Sequence, residues 1–319
     1  MIHRIAVLTS GGDAPGMNAA IRAVSRAALD AGYQVFGVLE GYKGLVNNEI
    51  FQIDRSFVSE IIGRGGTILK TARLKEFEQR EVRLQAVRNL KARKIDTVVV
   101  IGGNGTLMGG YELSKEGITV IGVPGTIDND ITCSDLTIGF DTALNTIVES
   151  VDKLRDTSSS HQRCSIIEVM GRNCGDLALE AGFGTGAEII SSSERPLTTD
   201  EIAEKILDLK LSGKKHTIIV VSEKLYKVHE LAKEIEERVG VESRATVLGH
   251  IQRGGTPSAK DRVLASKMGL RAIESIENGL GSGCIASINS KIVFLPMEEA
   301  IHMKREIDLK QYSDAERLK

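Results

Sequence analysis

The feature that most limits what this chain can fold into is a unit that recurs along it: a short β-branched run, then glycines, then a stretch of helical periodicity. It appears first as residues 4–9, Ser10-Gly11-Gly12-Asp13, and the alanine-rich stretch 18–30. It returns at 34–39, at 97–101 before Gly102-Gly103-Asn104-Gly105, and at 119–123 before Pro124-Gly125. Alternation of this kind predicts a mostly parallel sheet covered by helices. A second series follows the helical stretch 141–156, with strands at 164–169, 217–221 and 246–248 and helices at 200–210 and 230–238. A chain of 319 residues is about twice the roughly 150 residues of one domain, so the expectation is an α/β protein of two lobes. The helical stretch 259–278 and the short strands near Cys284 and Ile292 complete one lobe or the other, and the sequence leaves both open.

Charge narrows the partners. The 41 basic and 43 acidic residues leave a net charge of -2, which excludes a broad electrostatic footprint for nucleic acid or an anionic membrane. Any anion site must therefore be local. The start, Met1-Ile2-His3-Arg4, runs into an apolar strand without the pattern of a signal peptide, and no apolar run is long enough to span a bilayer. The expected location is cytoplasmic. Cys133, Cys164, Cys174 and Cys284 are scattered without metal-ligand spacing and read as reduced thiols.

Ligands of open α/β sheets bind beyond the carboxyl ends of the strands, where this chain concentrates its glycines. Gly11-Gly12-Asp13 and Gly102-Gly103-Asn104-Gly105-Thr106 each join a strand to a helix, so backbone N–H groups can approach a phosphate without side chains in the way. Neither is a Walker A loop, and neither has the Rossmann glycine spacing. One such loop alone reads equally well as a tight turn, but two argue for phosphate. Thr126-Ile127-Asp128-Asn129-Asp130 sets two carboxylates two residues apart after a buried strand. On an extended segment both would face one side. Phosphoryl transfer to an alcohol needs a carboxylate to take the hydroxyl proton, a divalent cation held by oxygens, and cations against the transferring group. Acidic turns are otherwise often solvated, so the pair needs company. It comes from arginines in glycine-flanked loops: Arg73, Arg163, Arg172, Arg244 and Arg253, the last in Gly249-His250-Ile251-Gln252-Arg253-Gly254-Gly255. Such positions suit bidentate phosphate recognition. His216 and His229 read as structural imidazoles, while His250 beside Arg253 reads as a sugar-phosphate contact. Arg22 and Arg26 on the first helix are either a surface pair or, with Arg55, Arg155 and Lys214, a second anion site.

These residues resemble the bacterial-type ATP-dependent 6-phosphofructokinases essentially end to end, through residues 8–18, 64–73, 124–130, 138–143, 155–163, 169–175 and 247–255. The resemblance implies two Rossmann-like lobes with mostly parallel sheets: an ATP lobe of 1–140 plus 252–301 and a fructose-6-phosphate lobe of 141–251 plus 302–319. It implies Asp128 as the base at the C1 hydroxyl, with Thr126 beside it and Arg172 stabilising the transferring group. Gly12, Tyr42, Arg73, Gly103, Asn104, Gly105 and Thr106 would hold ATP. Thr126, Asp128, Met170, Gly171, Arg172, Glu223, His250 and Arg253 would hold the sugar phosphate, with Arg163 and Arg244 reaching in from a neighbouring subunit of a homotetramer. Asp130 and Asn104 would face Mg2+. Arg22, Arg26, Arg55, Arg155, Glu188 and Lys214 would bind the effectors ADP and phosphoenolpyruvate.

Several positions bear on specificity and regulation. Pyrophosphate-dependent relatives tend to carry a lysine at Gly125; here Gly125 and Gly105 leave room for a nucleotide. Asn104 stands where the family has a metal-serving aspartate, which implies weaker Mg·ATP handling. Ser212 replaces a usual lysine and Ser191-Ser192-Ser193 a usually apolar stretch, which implies a weakened effector site. The rival readings are a silenced paralogue that senses sugar phosphate, with Asn104 as the lesion; a pyrophosphate-dependent enzyme; and a lipid or dinucleotide kinase. The last leaves Arg163, Arg172, Arg244 and the His250 loop unexplained.

Overall fold

The first β-branched run becomes strand β1 (Arg4–Ser10), buried from its second residue onward. A strand buried on both faces suits the inside of a parallel sheet, where an apolar run without alternation is the usual pattern. A computed structural model describes residues 3–305 and 308–318; Met1, Ile2, Glu306, Ile307 and Lys319, which fall in the expected start and last lobe segment, lie outside the described residues. After β1 come α1 (Met17–Asp30), β2 (Gln34–Val38), α2 (Gly41–Asn47), β3 (Ile50–Ile53), α3 (Arg80–Ala92), β4 (Thr97–Gly102), α4 (Asn104–Ser114), β5 (Thr119–Thr126) and the two-residue β6 (Ile138–Gly139). Helix α5 (Phe140–His161) leads to β7 (Cys164–Val169), α6 (Asp176–Thr185), β8 (Ile189–Ser191), α7 (Thr199–Leu211), β9 (Thr217–Ser222), α8 (Val228–Val239) and β10 (Ser243–Val247). The chain closes with α9 (Ala259–Glu277), β11 (Gly283–Ile288), β12 (Lys291–Pro296), α10 (Met297–His302) and α11 (Lys310–Glu316).

The chain divides into two units. The first takes Met1–Ile127, Ile131–Thr142 and Arg253–Arg305; the second takes Asp128–Asp130, Ala143–Gln252 and Glu306–Lys319. Helix α9 and strands β11 and β12, which the sequence leaves open, belong to the first.

Among the described residues of the first unit, one sheet runs β12-β11-β5-β4-β1-β2-β3, with β6 paired to the end of β5. Its pairs are parallel except at the two edges, where β3 and β12 run antiparallel to their neighbours. The strand order reverses between β1 and β4, which makes their carboxyl ends the topological switch point where open α/β sheets bind ligands. The register is level there: Ser10 pairs with Gly102, and Gly102 with Pro124. One core joins Leu8, Val98, Val100 and Val120 of the strands to Val87, Leu90 and Leu113 of the helices. Each such side chain contributes roughly 1.5–3 kcal/mol of transfer free energy on burial. Helices α1 and α9 cross at Gly269, where a Cβ would sit 2.6 Å from Ala23 Cβ and 3.0 Å from Val24 N. Only glycine fits that crossing.

The second unit holds a four-stranded parallel sheet, β10-β7-β9-β8, among its described residues. Its core packs Ile166, Ile219 and Val221 against Ile202, Ile206, Leu231 and Ile235. Helix α7 starts with a capping box in which Thr198 Oγ1 accepts from Glu201 N–H and the Glu201 carboxylate accepts from Thr198 N–H.

Candidate active site

In the first unit the switch point carries both glycine loops. Gly11 has φ +82° and its carbonyl accepts from Thr71 Oγ1 at 2.7 Å, while Thr9 Oγ1 donates to the Lys70 carbonyl at 2.8 Å. The segment leading to exposed Arg73 is thus tied to the first loop. The second loop enters α4 at its first turn, where Thr106 N–H and Leu107 N–H both donate to the Gly103 carbonyl. Thr106 Oγ1 donates to the Ser10 carbonyl at 2.9 Å and so locks one loop to the other. Gly102 must lack a side chain because a Cβ there would lie 2.5 Å from that same carbonyl.

Asn104 and Gly105 are exposed, and nothing lies within 4 Å of where a Gly105 Cβ would be. Gly105 opens to space as its sequence position suggests. Gly125 does not: a Cβ there would meet Ile101 Cγ2 at 3.1 Å and Met17 Cε at 3.4 Å, so its small size serves core packing. Tyr42 is 5% exposed. Its ring stacks on Phe77 and its hydroxyl donates to the Thr106 carbonyl at 2.5 Å, with burial pushing its pKa up. It braces α4 from beneath. Arg253 lies over the first loop: its Nη1 is 3.9 Å from Asp13, and a Cβ on Gly12 would be 2.2 Å from that Nη1. Thr126 closes β5, with its Cβ 3.7 Å from where a Gly103 Cβ would stand.

The second unit begins where β5 ends. Asp128 is 6% and Asn129 3% exposed. Asn129 has φ +52°, so the segment bends and the expected extended run with two carboxylates on one side does not form. An asparagine tolerates this left-handed conformation because its short amide bonds locally. Here Asn129 Nδ2 donates to Asp176 Oδ2 at 2.7 Å, in the first turn of α6. The turn after β7 is also left-handed, with Gly171 at φ +139° and Arg172 at φ +60°. Arg172 N–H donates to Glu223 Oε1 at 2.8 Å, and its Nη1 stands 3.9 Å from Asp130 Oδ2. A non-glycine residue held at positive φ costs free energy and persists where the surroundings fix it. Glu223 does the fixing. Met170 N–H donates to Gln252 Oε1 at 3.1 Å, and Gln252 Nε2 donates to the Gly249 carbonyl, so a fully buried glutamine fixes the turn carrying exposed His250.

The other basic residues form separate groups. Arg163 and Arg244 share Glu242, at 3.0 and 2.7 Å, and the hydrogen bond from Arg163 holds the Glu242 carboxyl below its ordinary range. Buried Glu188 receives Lys214 at 2.6 Å and Arg155 at 3.7 Å. In the first unit Arg22 and Arg26 are half-buried on α1, and Arg55 pairs with Asp30 at the end of that helix. Ser212 caps α7 and donates to the Leu209 carbonyl. Ser191 and Ser192 are fully buried yet satisfied by the hydroxyls of Tyr226 and Tyr312. The four hydroxyls form a buried polar network there.

Sequence reasoning missed Glu168, Asp176, Glu242 and Asp261, and quoted Gln252 without a role. Glu168 on β7 has its carboxyl pushed up by burial and by the charge of Glu223. Asp261 is 1% exposed and accepts from Gly139 N–H, Thr142 N–H and Thr142 Oγ1, which caps the start of α5. Among the described residues no cluster of three His, Cys, Asp or Glu could hold a metal ion unaided, and no helix is long and apolar enough to cross a membrane.

Residues 4–276 match the phosphofructokinase family. The chain is 56% identical over 314 residues to the "ATP-dependent 6-phosphofructokinase 1" of Clostridium perfringens, covering 98% of each protein. It is 55% identical over 316 residues to the ATP-dependent 6-phosphofructokinase of Clostridium botulinum strain Eklund 17B, covering 99% of each. Among solved structures, phosphofructokinase from Saccharomyces cerevisiae superposes with a TM-score of 0.86 at 37% identity, over 94% of this chain. This chain spans 45% of that yeast chain.

Proposed function

The chain belongs to the phosphofructokinase family, and from that premise we infer that it transfers the γ-phosphoryl group of ATP to the C1 hydroxyl of fructose 6-phosphate. The product is fructose 1,6-bisphosphate and the setting is glycolysis. The near-full-length identity to clostridial proteins named for this ATP-dependent reaction carries the reading; a silenced paralogue and a pyrophosphate donor are not favoured by it.

The first unit is the ATP lobe and the second the fructose-6-phosphate lobe. Gly12, Arg73, Gly103, Asn104, Gly105 and Thr106 bind the nucleotide, with Tyr42 bracing the loop. Thr126, Met170, Gly171, Glu223, His250 and Arg253 bind the sugar phosphate. Asp128 takes the proton of the C1 hydroxyl as that oxygen bonds to the γ-phosphorus. The bond from phosphorus to the bridging oxygen breaks, and its electron pair leaves with ADP. The Arg172 guanidinium balances negative charge on the transferring group. Asp130 and Asn104 carry the hard oxygens that a magnesium ion prefers and would hold it beside waters and phosphate ligands. When bound, the ion supplies positive charge against the phosphates.

Arg163 and Arg244 serve a neighbouring subunit's site in a homotetramer. Arg22, Arg26, Arg55, Arg155, Glu188 and Lys214 bind ADP and phosphoenolpyruvate as effectors, weakened by Ser212. The protein acts in the cytoplasm. A coupled assay of purified protein with Mg2+ and fructose 6-phosphate tests the reading: ATP supports turnover and pyrophosphate does not. Turnover with pyrophosphate alone, or none from a folded protein, would overturn it.

A further inference from the structure

All four cysteines are buried free thiols, and two of them meet. Cys133 Sγ and Cys284 Sγ lie 3.8 Å apart in an apolar cluster with Leu107, Ile131 and Ala300. Hydrogen bonds tie the segment after Cys133 to the strand of Cys284. Asp135 N–H donates to the Ser287 carbonyl at 2.7 Å, Ser287 N–H donates to Ser134 Oγ at 2.9 Å, and Asn289 N–H donates to Asp135 Oδ2 at 2.7 Å. Strand β5 makes the room. Gly122, the register partner of Cys284, would with a Cβ stand 3.6 Å from Cys284 Sγ and 2.5 Å from Leu107 Cδ2.

The two thiols differ in character. The hydrogen bond with Cys284 holds the Cys133 thiol below its ordinary range, whereas that bond and burial push Cys284 up. Cys284 Sγ also donates to the Ile285 carbonyl at 3.6 Å. The 3.8 Å approach lets either sulfur, once oxidised, be resolved by the other.

We propose that Cys133 and Cys284 form an oxidisable dithiol site, converted by a hydroperoxide into a disulfide that weakens the protein's use of ATP. One thiolate of the pair attacks the O–O bond and keeps one oxygen as a sulfenic acid; the other oxygen leaves with a proton as water or an alcohol. The second sulfur then attacks the sulfenic sulfur, and its proton departs with the displaced hydroxide as water. Two electrons pass from the thiols to the peroxide.

The coupling to function follows from position. Forming the bond draws the sulfurs from 3.8 Å to about 2 Å, and a close-packed cluster has to shift to allow it. Leu107 belongs to that cluster and stands three residues after Asn104 on the first turn of α4; Cys133 stands three residues after Asp130. The regulatory half thus rests on the assignment of the α4 loop to ATP, while the chemical half does not.

The experiment treats full-length protein with hydrogen peroxide, then alkylates it in denaturant and maps its peptides. The expected result is a Cys133–Cys284 cross-linked peptide with two of the four cysteines alkylated, reversed by dithiothreitol and absent from Cys133→Ala and Cys284→Ala. Kinetics of oxidised against reduced protein should show the KM for ATP raised by about fivefold or more, the lower end of ordinary coupling between sites. Both alanine variants should be insensitive to peroxide. Four alkylated cysteines after treatment would overturn the proposal, as would a disulfide that leaves the KM for ATP unchanged. Reduced protein without ATP turnover would overturn the substrate assignment instead, a failure to which the peptide map is blind.

Discussion

Asn129 separates the carboxylates of Asp128 and Asp130, and its replacement tests whether its backbone conformation sets their placement. Its φ is +52°, and its amide donates to Asp176 at 2.7 Å. Alanine at a left-handed position costs about 1–2 kcal/mol. Loss of a hydrogen bond to a charged group costs about 1.5–3 kcal/mol. Asn129→Ala should therefore destabilise by about 2.5–5 kcal/mol if the turn keeps its shape. Asn129→Gly accepts the left-handed backbone and loses the bond to Asp176, about 1.5–3 kcal/mol. Urea unfolding measures both, and kcat reads the consequence, since a displacement of about 1 Å at a catalytic group can cost around a hundredfold. The expected order in stability and in kcat is wild type, then glycine, then alanine. Equal effects of glycine and alanine would refute the backbone argument. A kcat unchanged in both would refute the link between this turn and Asp128.

Asn104→Asp should lower the KM for Mg·ATP by about threefold to tenfold, because the metal-facing set gains a charge. Helix α4 has no acid in its first turn, so the same change should raise stability by about 0.3–1 kcal/mol, readable by thermal unfolding without substrate; a gain in neither would show the substitution to be harmless. The Asp261 carboxyl is pushed above its ordinary 3.8, chiefly by burial. Between those values the folded state binds more protons, so the stability it contributes is full below about pH 3.8 and falls as pH rises through the folded value. The cost of Asp261→Asn in urea unfolding should shrink from about pH 4 to about pH 7, and a cost that grows would contradict the sign. Ser212→Lys should strengthen inhibition by phosphoenolpyruvate at half-saturating fructose 6-phosphate, and an unchanged inhibition curve would remove Ser212 from the effector account.

Much of this was readable because burial leaves a strong local signature. Strands β1, β4, β5, β7 and β9 are buried along most of their length and show as runs rich in apolar, mostly β-branched residues, and both glycine loops follow such strands. Strand β10 was expected at 246–248 and forms at Ser243–Val247, because its register with β7 starts at Ser243 opposite Cys164 through residues without apolar pattern. The edge strand β3 and the short β6 carry too few residues for a period to emerge. The lobe of α9 depends on its crossing with α1 at Gly269, a contact between residues far apart in sequence. The bend at Asn129 escaped an argument that assumed extended backbone. Glu223 under Arg172, Gln252 under Met170 and Glu242 between two arginines link residues distant along the chain or act through backbone atoms, so no local spacing announces them.

The central claim is that Asp128, 6% exposed at the end of β5, takes the proton from the sugar hydroxyl. Asp128→Asn keeps the shape and removes the base, and the decisive measurement is kcat with saturating Mg·ATP and fructose 6-phosphate. A loss of about 10²- to 10⁴-fold, with both KM values nearly unchanged, is the predicted result. A kcat within about threefold of wild type would contradict the account and return the proton to another group.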